Sequence, residues 1–441
     1  MQSKQLVSLL LLTGLLFAGN ASRVLAASDG EKLLLLEDAV AISLADNPGL
    51  AAIKTRAEVL ALIPSQQGAL PDPRLSLNMM NLPIDSFDFN QEPMTQLQVG
   101  FSQMLPFPGK LALSEAVAEH ESVAARWQVE EVRLKLVRDV KTVWWNLYFT
   151  DRALEIVARN VELLRQFVDV AQTKYKVGKG LQQDVLLAQL ELSKLHDQTI
   201  NLHGLRGNQR VQLNALLDQP TDTLLQLPQR ITETLAEITD EKGLLAQAAK
   251  TRPVLAASQS KIDAARARLG LAKKSYSPDF QLGAVYGYRG GENIDGSSRA
   301  DFLSVMFSMN LPIYAGARQD KAVDQRTSQV LQNRYELDDA RGRVAAEVSR
   351  ALTDYQQSRE QARLFKLGII PQAAQTVASM LAAYQVNKVD FLNLVRAQIT
   401  LFNYETRYWK ALSQGNQALA RLTAAVGKQS LFADDEINNG N

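Results

Sequence analysis

Side chains that bind metals, attack carbonyls or move protons are few and scattered in this sequence. It holds no cysteine and three histidines, His120, His196 and His203. Without cysteine, disulfide scaffolds, thiolate zinc sites and iron–sulfur clusters are excluded. His196 and His203 stand seven positions apart and share a helix face, a spacing that suits a ligand pair and equally suits two solvated histidines. Met79-Met80, Met94 and Met104 suggest soft-metal thioether ligation, and equally packing or lipid contact. The run Gly287 to Gly291 with Arg289 lacks phosphate-loop spacing, and neither G-x-S-x-G nor H-E-x-x-H occurs. Trp144-Trp145 with Tyr148-Phe149 reads as packing between helices. No catalytic, cofactor or metal residue is assigned, and the chain is not read as an enzyme.

Composition narrows the class further. The 441 residues carry 48 Lys+Arg against 47 Asp+Glu, a net charge of +1, which removes the cationic excess that a nucleic-acid partner requires. The longest apolar run follows Lys4, from Leu6 to Ala18, and relaxes into Val24-Leu25-Ala26. This is the pattern of a signal peptide over residues 1–26; an N-terminal anchor is the alternative, for which the run is short. No cysteine follows the cut, so no lipid anchor is expected. An exported, cysteine-free chain suits a bacterial envelope.

An internal repeat organises the remainder. Asn47-Pro48 returns as Arg252-Pro253, Pro73-Arg74-Leu75 as Pro278-Asp279-Phe280, Phe101-Ser102 with Leu105-Pro106 as Phe307-Ser308 with Leu311-Pro312, and Tyr175-Lys176-Val177 as Tyr384-Gln385-Val386. Two copies of one unit follow, 27–220 and 241–427, with a linker over 221–240 and a flexible tail over 428–441. In the first copy, helical spacing runs from Glu37 to about Gln67, and Pro64 marks fraying near its end. The period then drops to two in a hairpin over 73–105, whose loop runs from Pro83 to Pro93. A helix over 111–177 contains neither glycine nor proline, and its Leu154, Val157, Val161, Leu164, Val168 seam has coiled-coil spacing. Gly178 and Gly180 end it, and a helix over 181–217 returns. The second copy offers a hairpin over 278–312, a long helix over 317–386 with a kink expected at Gly368 and Pro371, and a return over 389–426.

Two strands per copy make four, too few to close on themselves; three chains would supply twelve. Strands of about ten residues suffice to cross an outer membrane. A small exposed sheet on a soluble helical protein is the alternative. The expected fold is mainly α with a membrane β-barrel: long antiparallel coiled-coil helices forming an α-barrel, and four strands per protomer contributing to a trimeric 12-stranded barrel.

The order helix, hairpin, very long helix, glycine turn, helix, present twice after a signal peptide, resembles the TolC-like outer-membrane efflux proteins. The runs Leu70-Pro71-Asp72-Pro73-Arg74, Phe101 to Lys110 and Tyr384-Gln385-Val386-Asn387-Lys388-Val389-Asp390-Phe391-Leu392 are similar to its heavy-metal efflux branch, the CzcC- and CusC-like proteins. The resemblance implies a homotrimer in outer-membrane lipid, a duct across the periplasm, and partnership with a periplasmic adaptor and an inner-membrane RND-type pump. Heavy-metal cations are the implied cargo; drugs or a secreted polypeptide are the rival cargo, and a soluble periplasmic coiled-coil adaptor is the rival class. The adaptor would dock on the helix turns Val177, Gly178, Lys179, Gly180, Leu181 and Val386, Asn387, Lys388, Val389.

In the family an Asp after the first turn contacts a Tyr and an Arg at the second. Asp184 and Tyr384 occupy the matching places, whereas the Arg position holds Val389. Asn393 and Arg396 stand where the family carries inward aspartates, leaving Asp390 as the nearby acid for a gate. On this resemblance, Tyr384→Phe or Asp184→Ala should make the resting pore leakier; unchanged single-channel conductance in both would remove a latch built on that pair.

Overall fold

The computed structural model describes residues 33–386 and 388–431. The expected signal peptide and most of the expected tail lie outside them. The elements are α1 (Leu36–Asp46), α2 (Pro48–Ala61), α3 (Ile63–Gly68), β1 (Arg74–Met80), β2 (Gln96–Leu105), α4 (Lys110–Lys176) and α5 (Gln182–Leu216), then α6 (Glu241–Thr251), α7 (Pro253–Lys274), β3 (Phe280–Tyr288), β4 (Phe302–Met309), α8 (Gln319–Leu364), a π turn (Phe365–Ile369), α9 (Ile370–Gln385) and α10 (Phe391–Val426). The element order of the first half recurs in the second.

Uninterrupted helix formers make α4 a single rod of 67 residues, roughly 100 Å at 1.5 Å per residue. It packs along α5, α7 and α10, and α8 packs along α7 and α10. The buried seam of α4 includes Val157, Val161, Leu164 and Val168, as the heptad spacing selects, while Leu154 is half-buried and Ile156, off that spacing, is buried instead. Where Gly368 and Pro371 predict a kink, the chain makes the π turn. An extra residue per turn there accommodates the proline's missing donor.

The single helix expected over Glu37 to Gln67 is corrected: it is cut at Asn47 and again at Leu62. Proline drives the residue before it out of the helical region, and Asn47 sits at φ −63, ψ 116. Pro64, lacking an N–H, leaves the helix near Leu62 without its next bond. The Asn47 carboxamide oxygen caps α2 by accepting from Leu50 N at 3.0 Å, while its nitrogen donates to Leu216 O, at the end of α5, at 3.2 Å. The second half repeats the device with a charge. Arg252, before Pro253, is equally extended and donates to Ala424 O near the end of α10. Its guanidinium, 5% exposed, also pairs with Glu131 of α4 at 3.0 Å, itself 2% exposed, and with Glu347 of α8 at 3.2 Å.

The four strands form one antiparallel sheet in the order β1-β2-β3-β4. Leu75, Leu77 and Met79 face Phe101, Val99 and Leu97, and Leu97, Val99 and Phe101 face Tyr288, Tyr286 and Ala284. Tyr286, Ala284 and Leu282 in turn face Leu303, Val305 and Phe307. One sheet face is therefore apolar, and it is exposed: Leu77 is 70% and Val305 78% accessible. The other face carries Ser76, Asn78, Gln98 and Ser308. Lys110 Nζ and the Phe107 N–H both donate to Asp279 Oδ1 at 2.8 Å, tying the start of α4 to the start of β3.

Residues 221–240 form an extended strap across the helices. Apart from Gln226 O, which accepts from Leu34 N in a single parallel bridge, several of its carbonyls are met by side chains reaching from the rods: Arg206 to Leu225 O, Arg152 to Gln229 O, Arg359 to Leu235 O, Tyr355 to Ala236 O and Gln356 to Ile238 O, at 2.6–3.2 Å. Burial pushes the Tyr355 phenol up to about 12, so it remains a donor at neutral pH. Leu225 and Leu227 close over Trp144, Tyr148 and Leu213, with Trp144 stacked on Tyr148 at 5.4 Å. Glu233 accepts from Lys366 at 2.6 Å and from the Tyr408 hydroxyl.

Two outcomes follow from these contacts. Arg252→Met should cost about 3 kcal/mol, because Glu131 stays buried and keeps only the half-exposed Lys135, at 3.3 Å, as a partner, whereas Asn47→Ala should cost about 1 kcal/mol; denaturation midpoints of the two variants would separate, and equal shifts would refute burial as the cause. Burial alone would raise the Glu233 carboxyl, but the bonds from Lys366 and Tyr408 hold it below its ordinary value. A depressed carboxyl adds stability above the ordinary glutamate pKa and loses it as pH falls through the folded one. Protection of the strap against proteolysis should fall on acidification through that range, and Glu233→Gln should remove that dependence.

Candidate docking tips and pore gate

The first turn joins α4 to α5. Gly178 adopts φ +69, a conformation that costs any residue with a Cβ. Its N–H donates to Tyr175 O at 3.0 Å, and the Lys179 N–H to Lys174 O at 2.8 Å, a Schellman pair that satisfies the last carbonyls of α4. Gly180 serves close approach: a Cβ there would stand 2.9 Å from Lys174 Cβ and 3.1 Å from Tyr175 N. Val177 and Leu181 project into solvent, 62% and 59% exposed, and Lys179 is exposed beside them.

The second turn joins α9 to α10. The Lys388 N–H donates to Ala383 O at 2.9 Å, the same five-residue return as Lys179 to Lys174. Asn387 lies outside the described residues. Val386 and Lys388 are exposed and Val389 half-buried. Asp390 caps α10, its carboxylate accepting from Asn393 N at 2.9 Å, which commits one lone pair of the acid expected at a gate. Asn393 and Arg396 are exposed on the first turns of α10, while Phe391, Leu394 and Val395 are buried between them.

The two turns meet within one protomer. Tyr384, at the end of α9, is buried and packs on Phe391 at 5.5 Å, which in turn meets Phe167 of α4 edge-on at 6.2 Å. Lys174 Nζ sits 3.9 Å over the Tyr384 ring and donates to Tyr384 O at 3.2 Å. Asp184, half-buried on the first turn of α5, lies close enough that its carboxylate, after burial, pushes the Tyr384 phenol up. Among the described residues no hydrogen bond joins the two side chains. Lys174 and Phe391 were not singled out by sequence spacing. Both lie one helix turn or less from the turn glycine or cap, where partners across helices are set by supercoiling.

The other chemical candidates are not brought together. His196 and His203 are exposed on α5, and His120 is half-buried on α4. Met79, Met80, Met94 and Met104 are exposed along the first hairpin. Among the described residues no three His, Asp or Glu side chains converge as metal ligands would.

The sequence matches the outer membrane efflux protein family over residues 43–219 and again over 244–428. The cobalt-zinc-cadmium resistance protein CzcC of Cupriavidus metallidurans is 27% identical over 188 residues, 42% of either chain. Protein CyaE of Bordetella pertussis is 23% identical over 290 residues, 64% of this chain and 60% of CyaE. The chain thus spans 42% and 60% of the length of these curated relatives. The fold is shared with CusC, solved in a study of transmembrane channel formation, at a TM-score of 0.76 and 16% identity over 89% of this chain and 92% of that one. The family and its solved neighbours are channels, not enzymes. Matched in both halves and sharing the channel fold, the chain belongs to the outer membrane efflux protein family.

Proposed function

We propose that three copies of this chain form an outer-membrane efflux duct, a twelve-stranded barrel continued by a helical tunnel into the periplasm. The observation that carries this reading is the four-stranded sheet, open at β1 and β4 and exposed along a whole apolar face. An unpaired edge in lipid leaves each N–H and C=O unsatisfied at several kcal/mol, and the apolar face in water is unfavourable at roughly 25 cal/mol per Å². A threefold ring in a bilayer removes both costs. A soluble scaffold would leave both in place.

The helix turns then present six tips at the periplasmic end, exposed at Val177, Leu181 and Val386, to a periplasmic adaptor and an RND-type pump. Heavy-metal cations are the cargo this reading favours, supported by the likeness to CzcC. The duct passes its cargo without holding it, and pump and adaptor choose it.

The test is fractionation followed by resistance. The protein should remain with outer membranes through alkaline washing and migrate as a trimer, and its loss should sensitise cells to cobalt, zinc or cadmium. Release by the wash would end the channel reading, whereas retention with sensitivity to detergents or drugs alone would transfer the cargo to that class.

A further inference from the structure

Lys174 occupies a place that no other side chain shares among the described contacts at the tips. Its backbone carbonyl closes the first turn by accepting from Lys179 N, and its side chain crosses to the second turn, where Nζ meets both the face and the carbonyl of Tyr384. That carbonyl belongs to the last turn of α9, where it also accepts from Val386 N. Gly180 leaves room for the lysine stem. The Tyr384 ring also packs, tilted, on Phe391, which meets Phe167 edge-on. The ring thus takes a cation from the first hairpin and an aromatic neighbour from the second.

We propose that Lys174 is the positioning residue that holds the resting tips closed, and that it acts on the ring face of Tyr384 rather than on the phenol hydroxyl. The proposal rests on the trimeric duct described above. A ring of six tips can widen only if neighbouring tips separate, and half of the neighbouring pairs lie within one protomer. Lys174 stands on α4 and Tyr384 on α9, so any separation of that pair pulls the ammonium off the ring. A cation over a desolvated aromatic face is held by the ring quadrupole, and the added bond to a carbonyl fixes where along α9 it lands. Val389 offers no cation at the second turn; Lys174 supplies one from the first.

The experiment is planar-bilayer conductance of the purified full chain with four variants. Lys174→Met should raise the open probability of the resting pore roughly 3- to 30-fold, the Boltzmann weight of one such contact. Lys174→Arg should restore the tight state, because a guanidinium also binds a ring face. Tyr384→Leu should leak as Lys174→Met does, while Tyr384→Phe, which keeps the ring and loses the hydroxyl, should stay closed, the reverse of what the family resemblance implies for that variant. A leaky Tyr384→Phe with a tight Lys174→Met would assign the latch to the hydroxyl and overturn the proposal. So would wild-type conductance in both Lys174→Met and Tyr384→Leu. Absence of any pore in the wild-type chain would instead sink the duct itself. If Lys174→Met fails to assemble, the contrast between Tyr384→Leu and Tyr384→Phe decides the matter alone.

Discussion

The architecture hangs on backbone hydrogen bonds that one chain cannot make. β1 and β4 each leave an open edge, and two hairpins cannot bend far enough to bring those edges together. The same incompleteness governs the rods. α4 buries one seam against α5, α7 and α10, but α8 and α5 still carry exposed apolar positions such as Leu331, Tyr335, Leu186 and Ile200. Sheet and rods therefore face the same kind of deficit, which neighbouring copies would meet.

Within the protomer, coherence over such a length requires a cross-tie. The strap of residues 221–240 provides it, since its carbonyls draw side chains from α4, α5 and α8 to a common level. That stretch is neither helix nor sheet, yet side chains from three helices hold its carbonyls in place. Trp144, Tyr148, Tyr408 and Trp409 pack beneath it and give the extended chain an apolar floor. The strap therefore bounds two regions: the rods above it are fixed to the sheet through Lys110 and Asp279, and the hairpins below it are joined at their ends through Lys174 and Tyr384.

The two halves solve one local problem with different chemistry. At Asn47 a neutral carboxamide caps one helix and ties off another. At Arg252 a guanidinium ties off α10 and takes up two carboxylates, one of them deeply buried. The proline that follows each residue dictates the extended backbone in both. The charge in the second half makes that junction more sensitive to truncation, because the buried Glu131 carboxylate would keep only Lys135 and has little solvent to fall back on.

Much of this was legible in the residues themselves. The repeat, the strand alternation and the α4 rod follow from local periods: two for a pleated strand and three to four for a helix, in stretches without glycine or proline. The glycines at the first turn announce a backbone that no other residue adopts cheaply. The break at Asn47 was missed because the apolar spacing continues across it, although Pro48 signalled it. What the sequence could not set is who meets whom across helices. Lys174 reaches Tyr384, and Asp390 turns to its own helix, because supercoiling and the strap decide which faces approach, and those are properties of the packed rods rather than of any segment.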